Sequence, residues 1–247
     1  MNMNRFKITV SYDGTGYYGW QVQPNVVTVQ EKIEKVLFQL GGEVVKIHGS
    51  GRTDRGVHAR GQVAHFDFHR PFTTKALGRG LNALLPDDIR IMRTDIVSPE
   101  FHARKHVVEK EYRYFIWNDV VLPPNRRFDH LRVSYSLDVN AMQSAAAYLV
   151  GRYDFAAFSA NPKDFVASTV RTIFVLDVHK KGKEIIIIVK GEGFLYKMVR
   201  SIAGWLLRVG KGEVAPEDTI AMLASKLRTS EVPTARAKGL FLWNVKY

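Results

Sequence analysis

The sequence predicts an α+β protein built from two successive β-α-β-β-α-β units, the ferredoxin-like order, with antiparallel and mixed sheets. Three observations predict it. Stretches of period-2 apolar alternation are interleaved with stretches of helical period. The order occurs twice, an N-terminal α+β unit over residues 1–105 and a C-terminal one over 106–247. At 247 residues and 46% hydrophobic, the chain is long and apolar enough to bury a core in each unit.

Alternation over Phe6–Tyr12 predicts the first strand. A polar, glycine-rich loop leads to Thr28-Val29-Gln30-Glu31, which has the form of a capping box. Val29, Ile33, Val36, Leu37 and Leu40 then share one helical face, and Gly41-Gly42 ends the helix. Val44–His48 and Gln62–His69 read as strands flanking a loop of Gly, Arg, Thr and Asp; Thr73–Leu84 reads as a helix and Ile89–Ile96 as a strand.

In the second half, Glu111–Trp117 reads as a strand, Leu137–Val150 as a helix, and Val170–Val178 and Glu184–Gly191 as strands. Leu195, Met198, Ile202, Leu206 and Val209 form the stripe of the next helix, with Lys197, Arg200, Arg208 and Lys211 largely elsewhere on its surface. Leu240–Val245 is the closing strand. The basic, proline-rich stretch Leu122–Arg132 reads as a surface loop, and Pro216 opens a further short helix.

Charge narrows the function. Lys plus Arg number 36 against 24 Asp plus Glu, a formal +12 scattered through globular sequence. Such charge gains free energy by releasing counterions from a phosphate backbone, so nucleic acid is the first partner expected and an anionic membrane surface the second. The most apolar run, Ile185–Val189, is too short to span a bilayer and reads as a buried strand. Met1–Lys7 shows no secretory pattern, and the expected compartment is the cytoplasm. The chain has no cysteine, which excludes disulfides, thiolate catalysis, thiolate metal sites and iron–sulfur clusters.

Three segments are candidates for chemistry. Gly14-Thr15-Gly16-Tyr17-Tyr18-Gly19 fits G-x-G-x-x-G after a strand, but no helix opens there to hold a pyrophosphate. It reads as a glycine-permitted loop whose Tyr17, Tyr18, Trp20, Gln21 and Gln23 either pack or meet nucleotides. His65, Asp67 and His69 share one strand face, yet residues four apart on a strand are about 13 Å apart, too far to converge on a metal. That face reads as solvated or RNA-facing, and no metal site is expected. Gly49–Ala59 holds three glycines, Arg52, Arg55 and a single carboxylate, Asp54. It is either a long hairpin with exposed charges or a loop that presents an ionised carboxylate as nucleophile or as stabiliser of a sugar cation.

This last segment, Gly51-Arg52-Thr53-Asp54-Arg55-Gly56-Val57-His58-Ala59, resembles the G-R-T-D-x-G-V-H-A signature of the tRNA pseudouridine synthase A family. Tyr12-Asp13-Gly14-Thr15 through Gly19-Trp20-Gln21 is similar to that family's Y-D-G-T…G-W-Q, and Lys110–Tyr114 to its K-x-Y-x-Y strand. Phe194–Ile202 resembles its F-L-x-x-M-V-R helix, and Gly239–Leu242 its closing strand. One departure is visible: Ala235-Arg236-Ala237 stands where the family often has A-P-A.

The resemblance implies the pseudouridine synthase fold with a central cleft, and cofactor-free isomerisation of uridine to pseudouridine at positions 38, 39 and 40 of the tRNA anticodon stem-loop. It implies Asp54 as the essential carboxylate, Arg200 as its cationic partner across the cleft, and Tyr112 as the ring on the target uracil. Arg52, Arg55 and His58 become substrate contacts, Arg52 beside a base taken out of its stack. A homodimer is implied as well, for which Trp205 and Leu206 offer apolar surface. The alternative is a non-catalytic RNA-binding protein of the same architecture.

Overall fold

The computed structural model describes residues 3–160 and 168–247. The chain divides into two compact units, Met1–Val108 with Phe241–Tyr247, and Glu109–Leu240. The first contains β1 (Asn4–Tyr12), α1 (Val29–Gly41), β2 (His48–Gly49), β3 (His58–Phe68), α2 (Thr74–Leu84) and β4 (Ile89–Val97). The second contains β5 (Glu109–Asn118), β6 (Leu131–Val133), α3 (Val139–Ala147), β7 (Gly151–Asp154), β8 (Val170–Lys181), β9 (Glu184–Gly191), α4 (Met198–Lys211) and α5 (Asp218–Ser225). The closing strand β10 (Leu240–Lys246) follows.

In the first unit β1 lies between β4 and β3, antiparallel to both. The far edge of β3 is shared: β2 pairs antiparallel with its later residues, His48 against His65, and β10 pairs in parallel with its first ones, Phe241 against His58. The closing strand, counted with the second half in the sequence, thus completes this sheet. Phe6, Ile8 and Val10 of β1 and Phe66 and Phe68 of β3 are fully or almost fully buried, as are Ile33 and Leu37 of α1 and Leu77 and Leu81 of α2.

Local signals in α1 act as expected. Thr28 Oγ1 accepts from the Glu31 amide at 3.4 Å, and Gly42 ends the helix at φ 71°. The strand expected over Val44–His48 shrinks to His48–Gly49 for a tertiary reason. The Ile47 amide donates to Glu34 Oε1 at 2.9 Å and Gln30 Nε2 donates to the Ile47 carbonyl at 3.2 Å, so α1 side chains take the ladder groups. β3 conversely starts at His58, four residues before the expected Gln62, because β1 and β10 pair with its first residues.

In the second unit the antiparallel order is β5-β9-β8-β7, with β6 parallel against the last residues of β5. The basic loop Leu122–Arg132 therefore ends in strand. α4 carries the core: Met198, Ile202 and Leu206 have no exposed surface. Trp205 and Leu206, expected to offer surface to a second copy, are 2% and 0% exposed. The Trp205 ring meets Phe158 edge-on and its Nε1 donates to Thr219 Oγ1 at 2.9 Å, so its apolar area is used inside this unit.

Candidate active site

The segment carrying Asp54 leaves β2 at Ser50, enters β3 at His58, and is tied down along its length. At its start the Ser50 amide donates to the Val63 carbonyl at 2.7 Å. Fully buried Gln62 accepts from Ser50 Oγ at 2.7 Å and donates to the Gly51 carbonyl at 2.9 Å. In the middle, Thr53 Oγ1 and the Tyr12 hydroxyl share a buried hydrogen bond of 2.8 Å. Burial pushes the Tyr12 phenol well above its ordinary range, so it stays protonated. At the end, the Asp54 carbonyl accepts from the Val57 amide at 3.1 Å, which closes a turn.

The loop after β1 forms a second layer on this segment. The Trp20 amide donates to the Thr53 carbonyl at 3.2 Å, and the Gly56 amide donates to the Tyr17 carbonyl at 3.3 Å. Gly19 is obligatory for two reasons: its φ is +92°, and a Cβ there would lie 2.3 Å from the Thr53 carbonyl oxygen. Asp13 Oδ1 accepts from both the amide and the hydroxyl of Thr15, at 2.9 and 2.6 Å. His58 Nδ1 stands 3.1 Å from the same oxygen. The hydrogen bond from His58, helped by those from Thr15, holds the Asp13 carboxyl well below the usual carboxylate range.

Asp54 itself is partly exposed, between exposed Arg52 and Arg55. The Arg55 guanidinium carbon lies 4.2 Å from the centre of the Tyr18 ring, a cation–π contact. The aromatics of the loop divide between the two roles open to them: Tyr17 and Trp20 are buried, whereas Tyr18 is 41% exposed beside Arg55. His58, expected to meet substrate, is 2% exposed and turned inward, its ring stacked on Phe241 at 4.6 Å.

The face of His65, Asp67 and His69 is solvated only toward its end: His69 is exposed and Asp67 partly so, but His65 is covered. His65 is 4% exposed; its Nδ1 accepts from the Ala103 amide at 3.1 Å, and its ring touches His48 and His102. Asp67 accepts two hydrogen bonds from Arg5, each 2.7 Å, and His69 lies beyond the strand against Glu43. Residues 101–103 cover His65, a long-range contact that strand periodicity does not report. Among the described residues no group of three His, Asp or Glu side chains is placed to hold a metal ion.

In the second unit, Tyr112 and Tyr114 share one face of β5, but that face is buried rather than exposed: they are 8% and 0% exposed. The Tyr112 ring meets Phe194 edge-on at 5.2 Å. The Tyr114 hydroxyl donates to the Arg236 carbonyl at 2.8 Å, and burial pushes its phenol upward. Arg200 is the third residue of α4; its Nε donates to the Ala235 carbonyl at 2.8 Å, and the Ala235 amide donates to the Arg200 carbonyl at 3.0 Å. The Ala235-Arg236-Ala237 segment is thereby held at two carbonyls and one amide. Lys197, just before the helix, adopts φ +56°, a conformation costly for a side chain with a Cβ.

Sequence reasoning missed Tyr12, Gln62 and Asp13 as supports of the Asp54 segment. Asp13-Gly14-Thr15 carried a readable signal, an Asp whose side chain bonds its own backbone two residues on. Gln62 carried none, being one polar residue in a strand.

Comparison with known proteins adds an independent finding. A family model described as tRNA pseudouridine synthase matches residues 8–104 and 145–247. Proteins named tRNA pseudouridine synthase A are similar over nearly the whole chain. That of Brevibacillus brevis is 46% identical over 247 residues, 99% of this chain and 100% of its own. Those of Exiguobacterium sibiricum and Oceanobacillus iheyensis are each 44% identical, covering 99% of this chain and 97% of their own. Asp54 and Arg200 fall inside the matched stretches, and Tyr112 lies between them.

Proposed function

The chain belongs to the tRNA pseudouridine synthase family, and on that footing we propose that it isomerises uridine to pseudouridine in transfer RNA through Asp54. The observation that supports this best is the setting of that carboxylate. It is partly exposed, flanked by two exposed arginines, and carried on a segment held by Tyr12, Gln62 and the Trp20 backbone.

The reaction breaks the bond from ribose C1′ to uracil N1, turns the detached base, and joins C1′ to C5. The C5 proton leaves and N1 gains one, so atoms and electrons balance without a redox partner or an outside donor, and no cofactor enters. Asp54 acts on the sugar, at C1′ as a nucleophile or at C2′ as a base, and both roles need the ionised form. Arg200 is the cation assigned to offset that charge, and Tyr112 the ring assigned to the target uracil and its C5 proton. Arg52 and Arg55 take phosphates, with Arg52 nearest the extruded nucleotide. The substrate is the anticodon arm, at positions 38, 39 and 40, bound by a homodimer in the cytoplasm. No helix of the described residues is long and apolar enough to cross a membrane.

The test is tritium release from transfer RNA carrying uracil labelled at C5, comparing the wild-type protein with Asp54→Asn at matched RNA occupancy. Release by the wild type alone supports the reading. Tight RNA binding with release from neither protein returns the chain to a non-catalytic RNA-binding role.

A further inference from the structure

We propose that His58 and Asp13 form a positioning pair that sets the geometry of the Asp54 segment, so that His58 acts through the backbone and not on RNA. This rests on the reading of Asp54 as the reacting carboxylate. His58 is the first residue of β3, directly after the segment, and its ring is confined: 2% exposed and stacked on Phe241 with 20° between the planes.

Its Nδ1 lies 3.0 Å from the Gly14 amide and 3.1 Å from Asp13 Oδ1. A proton on Nδ1 is donated to the carboxylate; with the proton on Nε2, Nδ1 accepts from the Gly14 N–H. In either form the bond goes to the same turn, Asp13–Thr15, which Thr15 closes through two further bonds to Asp13.

That turn bears directly on the segment. A Cβ at Gly14 would lie 2.0 Å from the Val57 carbonyl oxygen, so the two backbones are in contact with no room between them. The Val57 amide in turn donates to the Asp54 carbonyl. The path from the imidazole to Asp54 therefore runs through one hydrogen bond, one close backbone contact and one turn, all within the first unit. An imidazole held this way has its polar edge engaged inside the protein, which separates it from exposed Arg52 and Arg55.

The experiment compares His58→Leu, His58→Asn and Asp13→Asn with the wild type, measuring RNA Kd, and kcat at saturating RNA by tritium release. A misplacement of about 1 Å at a reacting group lowers the rate roughly 100-fold, so His58→Leu is expected to lose about that much kcat with Kd within twofold. Asn places a polar atom near where Nδ1 stood, and is expected to recover about tenfold of the loss. Asp13 is about half exposed, so Asp13→Asn keeps the fold and carries the test if the leucine variant does not fold; its kcat is expected to fall about tenfold. Weakened RNA binding with full kcat at saturation would make His58 a substrate contact and overturn the proposal, as would an Asp13→Asn enzyme with wild-type kcat. A wild-type protein that releases no tritium removes the Asp54 reading instead.

Discussion

Replacing Gly19 by alanine tests whether the Asp54 segment is held by close backbone packing. The new Cβ would start 2.3 Å from the Thr53 carbonyl oxygen, where ordinary contact begins at 3.4 Å, so that carbonyl must retreat by about 1.1 Å. The positive φ of +92° costs an alanine about 1–2 kcal/mol. Weakening the Trp20 to Thr53 hydrogen bond adds about 1 kcal/mol. A total of about 2–3 kcal/mol is survivable for a domain stable by about 5–15 kcal/mol, and lowers Tm by about 5–10 °C at this chain length. Thr53 precedes Asp54, so the displacement reaches the carboxylate and kcat falls roughly 100-fold. Thermal unfolding and tritium release on the same preparation read both effects. A Gly19→Ala protein with wild-type Tm and kcat within threefold of wild type would refute the reasoning, because both follow from one backbone contact.

Further outcomes follow from neighbouring geometry. Burial, together with the nearby His102 and His48, pushes the His65 imidazole down to about 4, so the folded state holds it neutral while the unfolded chain protonates it near 6.5. Its contribution to stability is full above pH 6.5 and is lost as pH falls from 6.5 toward 4; urea unfolding across that window is expected to show a decline that His65→Gln flattens. Arg236 has φ −59°, already suited to proline, so Arg236→Pro is expected to stabilise by about 0.4–1 kcal/mol in urea unfolding while the Tyr114 bond to its carbonyl persists. Gln62→Leu leaves the Ser50 hydroxyl and the Gly51 carbonyl without their buried partner, and is expected to cost about 2–4 kcal/mol in the same assay.

Legibility in the sequence depended on the range of the interaction involved. Helix α1 was readable because its cap, stripe and terminal glycines act within a few residues, and the structure returns Thr28 and Gly42 as its boundaries. Val44–Ile47 has the apolar pattern of a strand, and Val45 and Ile47 are buried, but Val44 is exposed and the Ile47 backbone bonds to side chains of α1 in place of a strand partner. Burial of the Tyr112 and Tyr114 face was not legible, because alternation distinguishes two faces without saying which one other elements cover. His65 failed the same way, under residues distant in sequence.

The sequence by itself determined the order of elements in the first unit, the cationic character, the absence of thiol chemistry, and Asp54 as a carboxylate set among glycines and arginines, whereas the short strands β6 and β7 of the second unit carried no readable alternation. Those properties reside in residue identity and in spacing along the chain. Tertiary structure alone decided that β3 shares its edge between β2 and β10, that Trp205 and Leu206 are core, and that His58 faces Asp13 rather than solvent. Each of these is a long-range pairing, in which a group's partner is set by where folding brings a remote segment, and no local pattern of residues encodes that partner's identity.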